Sequence, residues 1–436
     1  MDAKFSFASN GRLTTPAAPI HSEGNYFTIP GMVNAHSHSF QRVMRGLVEK
    51  KQRGQGDDDF WSWRALMYEI ASNASAEDLE LIGTWCFLDC LKTGFTHVGE
   101  FHYVHHKPDG SRYTPSYHLS KCLMNAARKV GIQLTVLHTA YHWNGPDDPA
   151  KGAQRRFIFN SVEEYLRHVL HALEQDDIEP HKQGLAIHSI RAVPETWLRP
   201  IAEFCATHQL PLHVHAAEQR KELEICQKVY GTSPIGLLLK HGVLGPNTTV
   251  VHGTHVDSAD LEAMATSGAT VCICPSTERN LGDGLAPIAD YLKHQIPLAI
   301  GTDSHVRIDA VDELRSLEDH ERLRLERRLV WLDHVPSLAE GLISVACQNG
   351  QRSLAPFQPA QNTDEVWIKI PVHLQEAPAE HTIQDWLLGG SGRDISRVKI
   401  NGEWVLENGI STRLDEQGLG ERVGKLLARY QTATAG

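Results

Sequence analysis

PGMVNAHSHSFQR, residues 30–42, is the stretch from which the rest of the chain can be read. A short apolar, β-prone run that starts near Tyr26 ends in His36 and His38. Strand side chains repeat every second position, so both imidazoles face the same side. Two neutral ring nitrogens side by side are half of a metal site. An isolated His-x-His also arises by chance as two polar residues at a strand end, so the metal reading needs partners elsewhere in the chain.

Composition bounds what those partners belong to. The chain has 436 residues, 41% hydrophobic and 22% charged, which suits a large α/β barrel with an appendage. No apolar run approaches the roughly 20 residues of a membrane helix, and the first thirty residues lack a basic start followed by an apolar core. A cytoplasmic protein that engages no membrane is expected. Lys plus Arg number 42 against 53 Asp plus Glu, and a net charge of −11 argues against a nucleic-acid surface. The eight cysteines lie in apolar segments without Cys-x-x-Cys spacing. Cys86 with Cys90, and Cys272 with Cys274, are therefore expected as buried, reduced packing residues.

After the His-x-His strand, short β-branched or apolar runs recur at 94–101, 132–139, 184–189, 210–215, 248–253, 269–274 and 297–303. Between them lie helical stretches, including Ser75 to Thr93, Ser161 to Gln175, Pro194 to His208, Ala216 to Lys240 and Ser258 to Ser267. Eight strands alternating with helices predict a closed parallel (β/α)8 TIM barrel over residues 31–354, with functional residues at the carboxyl ends of the strands. A last helix from about Ala310 to Leu332 puts Leu314, Leu317, Leu325 and Leu329 on one face, and its charge run Glu318 to Arg328 reads as a solvated face. Residues 1–30 and 355–436 read as a small β-sandwich domain built from both ends of the chain, with a C-terminal helix and a tight turn at Asn401-Gly402 in VKINGEWVLENG.

A barrel brings distant strand ends to one rim. The fifth strand ends in His213-Val214-His215-Ala216-Ala217-Glu218, the sixth in His252 and the eighth in Asp303. On strand eight Ala299 and Gly301 share the face of Asp303, as a crowded barrel interior beneath a metal requires. Imidazoles and a carboxylate around one divalent ion leave an open position, and the pKa of water there falls toward about 7. The expected roles are that Asp303 both touches the ion and takes the proton of water, that Glu218 carries it to a leaving nitrogen, and that His252 orients the hydroxide or polarises the carbon under attack.

These residues resemble the metal-dependent amidohydrolase superfamily across both the barrel and the split β domain. The resemblance implies one divalent ion, with zinc named ahead of iron or manganese, held by His36, His38, His215 and Asp303. No lysine stands on strand four, where Ala186, Ile187 and His188 lie, and His215 is followed by Glu218. Both features resemble the mononuclear deaminase branch. A narrower likeness is to the formimidoylglutamate deiminases, carried by AHSHSFQR (35–42), FWSWR (60–64), EFHYVHH (100–106), QRRF (154–157), HSIRAVP (188–194), HVHAAEQ (213–219) and NLGDG (280–284). It implies that Gln41, Arg64, Tyr103, His188 and Arg191 line a small anionic substrate, with Arg64 and Arg191 receiving carboxylates. Barrels of this kind are often dimers, so a homodimer is expected, with Trp61 or Trp85 as a contact. The expected reaction is deimination of N-formimidoyl-L-glutamate in histidine degradation. The alternatives are deamination of a purine, pyrimidine or triazine ring, and a metal-free binding scaffold. Phe60, Trp61 and Trp63 read as a packed lid or interface, and His102, His105 and His106 as hydrogen-bonded loop histidines with a second metal cluster as the alternative.

Overall fold

Apolar runs of four to eight residues bounded by turns become strands, and here they close on themselves. The structure, a computed structural model, describes residues 21–49, 60–175, 182–357 and 363–433. Its barrel strands are β1 (Met32–Ser37), β2 (Phe95–His102), β3 (Gln133–Ala140), β4 (Gln183–Ser189), β5 (Leu212–Ala216), β6 (Thr248–His252), β7 (Thr270–Ile273) and β8 (Leu298–Ile300). They pair in parallel and in sequence order. A bridge between Ser37 and Asp303 joins the last strand end to the first. The Asp303 N–H donates to the His36 carbonyl at 3.0 Å, and the His38 N–H donates to the Asp303 carbonyl at 3.0 Å. Closing the barrel therefore also brings three of the expected ligands together.

Alternation along the strands sorts the core into two layers. Ala35, Val251, Cys272, Cys274 and Ala299 form a small cluster of their own, while Val271, Ile273, Leu298 and Ile300 join the large core with Tyr291, Leu314 and Trp331. All eight cysteines are buried and free. Local signals set the helix ends. Ser75 and Asp78 make a reciprocal cap for Ala76–Lys92, and Asp257 and Asp260 do the same for Ser258–Ser267.

Two helical expectations change. The stretch from Ala216 to Lys240 is two helices, Arg220–Tyr230 and Pro234–Lys240. Gly231 takes a left-handed conformation that ends the first, and Ser233 caps the second with Pro234 in its first turn. The last barrel helix stops at Leu325, where Glu326 turns left-handed, and Leu325 and Leu329 are exposed. Its charge run is not simply a solvated face. Glu318 is fully buried and accepts the N–H groups of Val330 and Trp331, each at 3.2 Å, and buried Glu321 accepts that of Ala289 at 3.1 Å.

The chain ends build a six-stranded antiparallel sheet in the order His21–Glu23, Tyr26–Pro30, Glu365–Lys369, Ile395–Ile400, Glu403–Glu407, Ile410–Ser411. Asn401 and Gly402 both have positive φ, 51° and 84°, as a two-residue type I′ hairpin requires. The helix Glu416–Ala433 returns to the barrel, where Arg429 pairs with Asp78 and Glu416 with Lys92. Residues 1–20 of the expected sandwich lie outside the described residues, and among the described residues no helix is long and apolar enough to cross a membrane.

Candidate active site

Side chains from β1, β5, β6 and the turn after β8 converge at one end of the barrel. The turns that aim them are sharp, for Ala217 (55°), His252 (75°), Asp303 (49°) and His305 (58°) all have positive φ although none is glycine. Such backbone is costly and clusters at functional sites. The His36 and His215 Nε2 atoms are 3.0 Å apart, and Asp303 Oδ1 lies 3.5 Å from His36 Nε2 and 3.3 Å from His38 Nε2. One ligand atom from each of His36, His38, His215 and Asp303 falls within 4.8 Å of all the others.

The ring partners fix the tautomers. His38 Nδ1 donates to the Phe101 carbonyl at 3.0 Å, and His215 Nδ1 donates to the His188 carbonyl at 2.8 Å, so each Nε2 presents a lone pair. Burial lowers the pKa of all three rings, reinforced at His36 and His215 by neighbouring imidazoles and opposed at His38 by Asp303. Neutral lone pairs pressed against one another and against a carboxylate repel unless a cation lies among them. The donor set therefore fits a divalent ion. Glu100 supports the turn from below, accepting the Ser37 hydroxyl at 2.5 Å and the Ser39 hydroxyl at 2.6 Å; burial pushes its pKa up to about 7.

A second set of groups faces the first. His252 Nε2 is 3.9 Å from Glu218 Oε1 and 3.8 Å from Asp303 Oδ2, and its Nδ1 donates to Glu278 Oε1 at 3.1 Å. Burial alone would lower the pKa of His252, but the carboxylates of Glu218, Glu278 and Asp303 outweigh it and raise it. Glu218 Oε2 accepts from Arg191 Nη2 at 3.2 Å, and the Glu218 N–H donates to Glu222 Oε2 at 3.1 Å.

The expected site residues occupy one pocket, lined by His38, Gln41, Arg64, Tyr103, His188, Arg191, His215, Glu218, His252 and Asp303, with His36 fully buried beside them. Trp63, Met67 and Leu281 complete the lining. Phe60 and Trp61 begin the helix Phe60–Asn73. His213 lies outside the pocket, its Nε2 donating to the Ser353 carbonyl at 2.9 Å. His102, His105 and His106 are buried and do not line the pocket; His105 and His106 donate to the Thr139 and Ile158 carbonyls, each at 2.9 Å. Sequence reasoning missed Glu278, whose surroundings in PSTERN carry no motif.

Comparison with known proteins agrees with this geometry. The model of the amidohydrolase family matches residues 27–355. The chain is 36% identical over 422 residues to a formimidoylglutamate deiminase of Pseudomonas aeruginosa, covering 94% of this chain and 92% of that protein. It is 23% identical over 429 residues to an 8-oxoguanine deaminase of the same organism, covering 96% and 90%. Among solved structures, an amidohydrolase from Brucella melitensis superposes with a TM-score of 0.84 at 30% identity, covering 96% of each chain.

Proposed function

This chain belongs to the amidohydrolase family and is a hydrolase of C–N bonds, and we propose that it converts N-formimidoyl-L-glutamate and water to N-formyl-L-glutamate and ammonia. The reading assigns one divalent ion, zinc, to His36, His38, His215 and Asp303, because three imidazole nitrogens and a carboxylate oxygen are a donor set that zinc favours. When bound, the ion supplies Lewis acidity, which makes hydroxide available near neutral pH.

The chain's own groups handle the protons and the substrate. Asp303 Oδ2 accepts the proton of the attacking water. Glu218 transfers a proton to the nitrogen that leaves, and its contact with Arg191 holds the carboxylate in place. His252, fixed by Glu278, presents Nε2 between Glu218 and Asp303, where it orients the attacking oxygen. Arg64 and Arg191 receive the two substrate carboxylates as guanidinium forks. A protein of net charge −11 repels a net anion with two carboxylates at long range, so affinity has to come from such local cations. Gln41, whose amide donates to the Tyr103 hydroxyl at 2.9 Å, lines the same pocket with His188.

The observation that carries the reading is the placing of two arginines in the same small pocket as the His252–Glu218–Asp303 group, in a chain 36% identical to a formimidoylglutamate deiminase. Ammonia release from N-formimidoyl-L-glutamate, measured beside 8-oxoguanine and other aminated rings, tests it. The formimino acid is turned over and the rings are not. Turnover of the rings without the formimino acid defeats the proposal.

A further inference from the structure

Behind Arg64 stands a cluster made almost wholly of hydrogen-bond donors. Arg64 Nε donates to the Tyr68 hydroxyl at 2.5 Å and Nη2 donates to the Tyr141 hydroxyl at 3.1 Å. The two hydroxyl oxygens are 2.8 Å apart, and the Gln154 amide donates to Tyr141 at 2.9 Å and reaches Tyr68 at 3.2 Å. The carbonyl oxygen of Gln154 is itself taken by the Lys151 N–H at 2.8 Å.

Proton accounting decides the direction of the remaining bond. Each phenol has one proton, and only one proton lies between the two oxygens. Tyr141 is fully buried, and its hydroxyl has the Tyr68 oxygen as acceptor. Tyr68 then accepts from Arg64 and Tyr141, and its own proton points away from the cluster. Tyr68 is half-buried and lines an outer groove together with Arg64 and Arg191, the two guanidiniums that also line the reaction pocket. Lys221 and Lys228 stand on the same groove, with Asp147 and Asp148 on the loop that edges it. Burial, with the Tyr141 phenol beside it, raises the pKa of Tyr68, so its hydroxyl remains a donor at neutral pH. Gln154 Nε2 also donates to Asn144 Oδ1 at 3.1 Å, which takes the amide's second proton, and the phenol donor of Tyr68 beside a guanidinium matches a carboxylate.

We infer that Tyr68 is a substrate-binding and specificity-determining residue, donating its hydroxyl to the same substrate carboxylate that Arg64 receives, and that Tyr141 and Gln154 are positioning residues that fix both donors. The inference rests on the reading of the substrate as an anionic formimino acid and adds which side chains select for its charge.

Tyr68→Phe keeps the ring and deletes the donor. The metal-loaded variant raises KM for N-formimidoyl-L-glutamate by about tenfold, the scale of a hydrogen bond to a charged group, with kcat within about twofold. Two analogues, each lacking one carboxylate, locate the contact: N-formimidoylglycine and 4-formimidoylaminobutyrate. The Tyr68→Phe effect vanishes for the analogue that lacks the carboxylate at Arg64 and persists for the other. Gln154→Leu raises KM in the same direction, and the Y68F/Q154L pair raises it by less than the product of the single effects. Equal Tyr68→Phe effects on both analogues, or no effect on the parent, overturn the inference. Calorimetric binding of N-formyl-L-glutamate gives a readout without turnover. If no formimino acid is hydrolysed yet Tyr68→Phe still weakens this binding about tenfold, the proposed reaction falls and only the carboxylate contact of Tyr68 stands. If turnover is robust and neither KM nor binding moves, the reverse holds.

Discussion

Gly301 follows β8 directly and faces β1 where the barrel closes. A Cβ placed on it would lie 2.7 Å from His36 Cβ, 2.9 Å from the His36 carbonyl oxygen and 3.1 Å from Cys274 Sγ. Non-bonded carbons settle at about 3.5–4.0 Å, so Gly301→Ala must displace its neighbour by roughly 1 Å. Neither His36 atom is the tip of a flexible side chain; both are fixed to β1. The same carbonyl accepts the Asp303 N–H at 3.0 Å, so the displacement also pulls on the carboxylate ligand. Overpacking of this kind costs about 1–3 kcal/mol of stability, and a 1 Å misplacement at a reacting centre costs about 100-fold in rate. Gly301→Ala therefore retains its far-UV circular dichroism, binds less than one metal ion per chain after dialysis and loses about two orders of magnitude in kcat/KM for ammonia release. Full metal content with kcat/KM within twofold of the parent would refute the crowded-interior account.

Arg191→Met raises KM for N-formimidoyl-L-glutamate by about 10- to 100-fold, the range for losing a charged hydrogen-bonding partner, and has a smaller effect on a substrate with one carboxylate; steady-state kinetics on the pair checks this. Burial raises the pKa of Glu313 from 4.5 to about 8, where its carboxyl accepts the Ser276 N–H at 2.9 Å. The folded protein keeps that proton over a pH range in which the unfolded chain gives it up, so this contribution is present below the unfolded pKa and is lost as pH rises through the folded one. Glu313→Gln is neutral at every pH, and its urea midpoint falls less than that of the parent between about pH 5 and pH 9. Gly402→Ala meets no atom within 4 Å but is forced to φ 84°, which costs about 1–2 kcal/mol. Thermal unfolding shows that loss while kcat stays unchanged.

The parts legible in the sequence were those in which side-chain period and residue chemistry coincide. His36 and His38 share a strand face by spacing alone, and the HVHAAE and GTD stretches end later strands with the residue types a cation requires. The rim follows because parallel strands of a barrel end together. The illegible parts depend on tertiary proximity without a local pattern. Glu278 reaches His252 because the helix Pro275–Leu281 starts directly after β7 and folds over the rim. Glu318 and Glu321 sit in a run that periodicity assigns to solvent, yet they are buried as acceptors for backbone N–H groups. Gly231 inside an otherwise helical stretch became a terminus because Ser233-Pro234 supplied a new start beside it. Tyr68, Tyr141 and Gln154 belong to separate segments that meet only when the helix Phe60–Asn73 packs across the end of β3.

The most direct test is a zinc titration of chelator-stripped protein with ammonia release from N-formimidoyl-L-glutamate as the readout. The account predicts negligible turnover without metal and a linear rise that saturates at one ion per chain, with no rise in His215→Ala. Full turnover in the stripped protein, or a titration that His215→Ala follows equally well, would contradict it.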